Sequence, residues 1–82
     1  MAPQFGGFVP QGIQRNNTPK VEISYEEYEA LKLCDYELLT QAESAEIMNI
    51  SRPTFTRIYE SVRRKIAKAF VEGSCICFEG GD

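Results

Sequence analysis

The sequence predicts a mainly α-helical domain of three helices, the last two arranged as a helix-turn-helix, with one short two-stranded β pairing. Three observations predict it. Ser24 with Glu27, and Thr40 with Glu43, have the S/T-x-x-E spacing of a capping box, in which hydroxyl and carboxylate each satisfy an amide at a helix start. No breaker interrupts Thr54 to Glu72, and at about 100° per residue Phe55, Ile58, Tyr59, Val62, Ile66 and Ala69 fall within one arc of about 100°, the width of a core-facing stripe. After Gly73 the apolar period shortens to two, with Cys75 and Cys77 on one side of an extended segment and Ile76 and Phe78 on the other.

Taken in order, residues 1–20 hold three of the four prolines together with Gly6, Gly7 and Gly12, and predict a flexible arm, disordered at least to Gly12. Phe5, Phe8, Val9 and Ile13 give that arm apolar positions able to dock on a core or a partner. The domain proper is expected over 21–82. Val21 to Ile23 reads as a short extended segment, and Ser24 opens a helix over about 25–35 with Tyr28, Leu31 and Leu33 or Cys34 on its apolar side, Tyr25 lying one turn earlier. Leu38 and Leu39 are expected to plug the connection that follows. Thr40 caps a helix over about 40–48, and Asn49 ends it, since asparagine tolerates a left-handed backbone better than other non-glycine residues. Ile50 fills the angle between the two helices. Ser51 caps the next helix, and Pro53 in its first turn gives up an amide that would lack an intrahelical acceptor. That helix should run over 52–72 to Gly73. Ala45 supplies the small residue that two closely crossing helices need, with Phe55 and Ile58 placed to pack over it. The segment 74–79 is expected to pair with about 21–24, within the chain or across a dimer, because an isolated strand leaves its backbone unpaired.

Composition bounds the function. Eighty-two residues make one domain, near the size at which a single core is only marginally sufficient, so a homodimer would help it. The net charge of −3 argues against a protein that coats nucleic acid indiscriminately. Its distribution is uneven: residues 25–50 hold one lysine and seven acids, net −6, whereas residues 51–73 hold six basic residues and two acids, net +4. No stretch approaches the roughly 20 apolar residues of a membrane span, and no charged-then-apolar leader opens the chain, so a cytoplasmic protein is expected. Three cysteines fit free thiols in a reducing compartment. Cys75-x-Cys77 lacks the usual C-x-x-C spacing and the chain has no histidine, so no metal and no cofactor are expected. Without histidine, a phosphate-cradling glycine loop or a clustered acid pair, the chain is not expected to be an enzyme.

The third helix carries the positive charge and points to duplex DNA. Arg52 to Arg57 span about 8 Å at 1.5 Å per residue, comparable with the stretch of helix that reaches base edges in one major groove. Arg52, Thr56 and Arg57 are the expected base readers, with Pro53 touching a thymine methyl or sugar and Thr54 reaching a base or a phosphate. Thr40 and Gln41, at a helix N-terminus, are placed to hold a phosphate, as is Ser51. Arg63 and Arg64 contact phosphates or, with Lys65 and Lys68, form a solvated helix face. Tyr59 is read as core with a wet hydroxyl and Cys34 as a small core residue.

The stretch LLTQAESAEIMNISRPTFTRIYESVRRKIAKA is similar to region four of bacterial sigma factors, a winged-helix-like class. From Phe8 to Gly81, through FVPQG, YEEYEALKLCDYE, LTQAE, ISRPTFTR, RRKIAKAFVEG and the terminal EGG, the chain resembles a small prokaryotic family of uncharacterised proteins predicted to bind DNA. It departs from that pattern in opening MAPQFGGF rather than with a basic, cysteine-containing segment, and in having Asn49 where glycine is frequent. The resemblance implies sequence-specific duplex DNA binding by a transcriptional regulator, with Arg52, Pro53, Thr56 and Arg57 facing bases. The alternative is a protein-interaction module, because sigma-like helix pairs also contact RNA polymerase subunits.

Overall fold

The computed structural model describes residues 6–12 and 19–79. Along them run β1 (Gly7–Phe8), β2 (Lys20–Ile23), α1 (Tyr25–Leu31), a π-helical turn (Lys32–Tyr36), α2 (Gln41–Met48), α3 (Arg52–Glu72) and β3 (Cys75–Phe78). The fold is mainly helical with a small sheet, as the sequence predicts.

Both capping boxes form. Ser24 Oγ accepts from the Glu27 amide at 3.1 Å while Glu27 Oε1 accepts from the Ser24 amide at 3.0 Å. Thr40 and Glu43 repeat the exchange at 3.0 and 2.9 Å, and hydrogen bonding to the carboxylate by the Thr40 amide and then by its hydroxyl holds the Glu43 carboxyl below its ordinary pKa. Asn49 adopts the left-handed conformation, φ 59° and ψ 45°, that turns the chain out of α2. Gly73 does the same after α3 at φ 71°.

The stripe read from the sequence faces the core except at Ile66, which is half-buried and lines a groove toward the first helix. Phe55 and Val62 are fully buried and Ala69 nearly so. Ala30, Ala45 and Phe55 form a central cluster, against which Cys34, Met48, Ile50, Ile58 and Tyr59 pack. Burying Phe55 contributes about 1.5–3 kcal/mol by area alone, and the small side chains of Ala30 and Ala45 let α1 and α2 approach it. In β2 the buried residues Val21 and Ile23 alternate with exposed Lys20 and Glu22, and this face lies against α3.

Four details depart from expectation. The sheet has three strands in the order β1-β3-β2, not two. The pairing of β2 with β3 is the one the sequence predicts, and the two strands run parallel, with Val21 opposite Ile76 and Ile23 opposite Phe78, because the intervening helices return the chain in the same direction. Gly7–Phe8, expected within a disordered arm, pairs antiparallel with Cys77 and Ile76, so the central strand is bonded on both edges. The expectations for 1–5, 13–18 and 80–82, including the docking of Phe5 and Ile13, lie outside the described residues.

The third departure is the end of the first helix. It leaves α-geometry after Leu31 and widens into the π-helical turn, closed by the Glu37 amide on the Lys32 carbonyl at 2.9 Å. The extra residue keeps Leu33 buried while Asp35 reaches α3. Fourth, Leu38 does not plug the connection: it is 80% exposed, with a left-handed φ of 62°. Leu39 alone turns inward, half-buried, its amide bonded to the Leu33 carbonyl at 3.0 Å.

Candidate nucleic-acid interface

Three residues, 49–51, join α2 to α3 and place the N-terminus of α2 beside the second turn of α3. One hydrogen bond holds this juxtaposition: Thr56 Oγ1 donates to Gln41 Oε1 at 2.7 Å. The Gln41 amide nitrogen keeps two hydrogens to donate elsewhere. Thr40, one residue earlier, is exposed at the cap. Five of the residues singled out in the sequence sit around this point on α3 and its cap. Ser51, Arg52, Pro53 and Arg57 are exposed, and Thr54 is half-buried.

The first turn of α3 is internally organised. Ser51 Oγ caps the Thr54 amide at 3.3 Å and donates to Thr54 Oγ1 at 2.9 Å. Arg57 Nη2 donates to the same Thr54 oxygen at 3.4 Å, which biases a long, flexible side chain toward the start of the helix. Arg52 makes no ion pair among the described residues. An exposed guanidinium at this place carries two unspent donor edges.

The later basic residues separate from this cluster. Arg63 Nε lies 3.4 Å from Asp35 Oδ2, and its guanidinium sits over the Tyr59 ring at 5.4 Å. Tyr59 in turn donates to Asp35 Oδ1 at 2.7 Å, and that carboxylate raises the phenol pKa above its ordinary value. Lys65 Nζ donates to Glu27 Oε1 at 2.9 Å and to the Glu22 carbonyl at 2.7 Å, and Lys68 pairs with Glu72 at 3.0 Å. Arg64 is exposed and has no ion pair among the described residues. Of the two arginines expected to reach phosphates, Arg63 is therefore held toward the first helix and Arg64 is left to solvent.

The structure thus gathers Thr40, Gln41, Ser51, Arg52, Pro53, Thr54, Thr56 and Arg57 where the N-terminus of α2 meets the first turns of α3. Sequence reasoning missed the Gln41–Thr56 bond, because residues fifteen apart on different helices carry no periodic signal of contact. It also missed Asp35, whose acidic character was legible but whose orientation depends on the π-helical turn.

A small helical domain with a short sheet and a basic third helix is the class that this geometry defines. The whole chain, residues 1–82, matches the family described as "Protein of unknown function DUF134", and it belongs to that family. It is 48% identical over 80 residues to a UPF0251 protein of Halothermothrix orenii, covering 98% of this chain and 59% of that protein. A UPF0251 protein of Desulforudis audaxviator is 49% identical over 80 residues, covering 98% and 52%. The UPF0251 protein Teth39_0655 of Thermoanaerobacter pseudethanolicus is 45% identical over 80 residues, covering 98% and 68%. The chain spans from about half to about two thirds of the length of these relatives. No solved structure is detectably similar. Among the described residues no helix is long and apolar enough to cross a membrane.

Proposed function

We propose that α2 and α3 act as a helix-turn-helix of the sigma region-four type and bind duplex DNA sequence-specifically, as a transcriptional regulator rather than an enzyme, in the reducing cytoplasm where three unpaired thiols persist. The observation that carries this reading is the exposed pair Arg52 and Arg57 on the first turns of α3, next to an α2 N-terminus fastened by Gln41 and Thr56. Arg52 and Arg57 read guanine edges through two donors each, and Thr56 and Thr54 set their approach. The capped N-terminus of α2, with Thr40 and Gln41, takes a backbone phosphate. Ser51 assists from the turn, Pro53 supplies apolar contact, and Arg64 adds a phosphate contact further along. Seven acids on the preceding residues keep non-specific affinity low, because only a few phosphates are neutralised.

Selection of bound duplexes from a random pool tests the reading, followed by titrations of the selected site. Arg57→Ala is expected to cost about 1–3 kcal/mol and to relax preference at one base pair, while Arg64→Ala weakens all sequences alike and lowers the salt slope by about 1. Recovery of no preferred sequence, or unchanged binding by both variants, overturns it. The polymerase-contact reading draws on a different surface, exposed Ile47 beside Glu43 and Glu46 on α2. Retention of polymerase without DNA would favour it.

A further inference from the structure

α3 carries a second apolar surface that neither the core nor the proposed DNA contacts use. Arg63, Ile66, Ala67 and Phe70, at the i, i+3, i+4, i+7 spacing of a packing seam, form one wall of a groove. Leu31 and Tyr36, on the first helix and its π-helical turn, belong to the other wall, and the groove encloses about 780 Å³. Phe70 and Tyr36 are each 80% exposed, an uncommon state for two aromatic side chains.

We propose that this groove is the interface between two copies of the chain, packed about a two-fold axis with the α3 helices antiparallel and crossing at Ile66 and Ala67. The surface is self-complementary in the way a two-fold interface demands. Ala67 at the crossing is small enough for helix axes to approach to about 8 Å. The Asp35–Arg63 bridge puts the Tyr36 turn at the Arg63 end of the groove, whereas Phe70 stands at the other. Reversing the helix about its crossing point therefore carries each Phe70 ring to the guanidinium of the partner's Arg63, beside the partner's Tyr36.

Charge favours a second copy over a strongly charged partner. The rim holds both signs already matched, Lys32 with Glu37 and Arg63 with Asp35, so it presents no net field for an acidic or basic ligand. Exposed apolar area points the same way. Two four-fifths-exposed aromatics bring about 300 Å² of the roughly 800 Å² that each partner gives to a standard interface, before Leu31, Ile66 and Ala67 are added.

The spacing of the two reading segments, which rests on the proposed DNA function, agrees with this arrangement. The middle of Arg52–Arg57 lies twelve residues from the middle of the seam, about 18 Å along the helix at 1.5 Å per residue. Two copies joined at the seam set their reading segments about 36 Å apart, which matches one turn of B-DNA between half-sites.

Sedimentation equilibrium of the 82-residue chain without DNA is the test, with circular dichroism to verify folding. The wild type is expected to be a concentration-dependent dimer. Ala67→Glu and Phe70→Glu, both at exposed positions, should be monomers with unchanged helicity, while Val71→Glu, exposed outside the groove lining, should remain dimeric. A wild-type monomer at all concentrations, or dimeric Ala67→Glu and Phe70→Glu chains, overturns the proposal. The two readings fail separately: a dimer lost in those variants but selecting no DNA leaves the interface standing and removes the DNA function. A wild-type monomer that selects a non-palindromic site does the reverse.

Discussion

Replacing Glu27 with glutamine isolates the most connected charge in the fold. Its carboxylate, on a side chain only 10% exposed, accepts from the Ser24 amide, from Ser61 Oγ at 2.7 Å and from Lys65 Nζ at 2.9 Å, so it ties the start of α1 to the middle of α3. Burial by itself would raise the pKa of this group. The hydrogen bonds from Ser61, Ser24 and Lys65 outweigh it and hold the carboxyl below its ordinary value. Glutamine is isosteric and keeps one oxygen for the Ser24 amide. Ser61 can rotate to accept from the new amide, and Lys65, which bonds the oxygen shared with the Ser24 amide, keeps that neutral acceptor and the Glu22 carbonyl but loses the negative charge. The loss is thus the charge-assisted part of two bonds, about 1–2 kcal/mol after solvent screening at half-exposed Lys65. For a domain of this size each kcal/mol lowers the melting temperature by about 4–8 °C.

The pH dependence makes the prediction specific. A carboxyl whose folded pKa is depressed contributes stability that is fully present above its unfolded value, about 4.3, and is lost as pH falls through the lower folded value. Urea titrations of wild type and Glu27→Gln by far-UV circular dichroism should therefore differ in midpoint, at constant slope, at pH 7. The gap should close below pH about 4. Taking the difference between the two proteins cancels the other carboxylates. An equal gap at both pH values, or none at pH 7, would show that the Glu27 charge does not couple α1 to α3.

Three further outcomes follow from single residues. Leu38→Gly should raise stability by about 0.5–1 kcal/mol in urea, because an exposed leucine at φ 62° pays a left-handed backbone cost without packing in return; a loss would reveal a burial not evident in the structure. Gly7→Ala should release β1, since a Cβ there would lie 1.9 Å from the Ile76 carbonyl oxygen. Hydrogen exchange should then speed up at the Phe78 amide, which bonds the Gly6 carbonyl at 3.0 Å, and stay unchanged in α2. Thr56→Val should destabilise the chain by about 0.5–1.5 kcal/mol by stranding the Gln41 oxygen, and should weaken binding to any selected DNA site; unchanged stability would remove the bond from the account.

The helices were legible because their information is local. Capping boxes at Ser24 and Thr40, Asn49 and Gly73 at the stops, and the stripe from Phe55 to Ala69 are short-range patterns whose physics acts within a few residues. The strand at β3 was legible for the same reason, from alternation. The candidate site was readable in part: Arg52, Thr56 and Arg57 can be placed on one end of a helix by counting. Whether Arg63 faces outward depends on Asp35, and that depends on a π-helical turn that no spacing in KLCDY announces.

By itself, then, the sequence determined the three helices, their starts, the ends of α2 and α3, the last strand and most of the core stripe of α3, since caps, breakers and apolar period depend on neighbours along the chain. Only the tertiary structure decided that β2 and β3 run parallel, that Gly7–Phe8 completes the sheet, that Leu38 points to solvent and that Arg63 is held by Asp35 while Arg64 is not. Those outcomes depend on groups far apart in sequence competing for the same partners, and free energies of about 1 kcal/mol in such competitions leave no periodic trace.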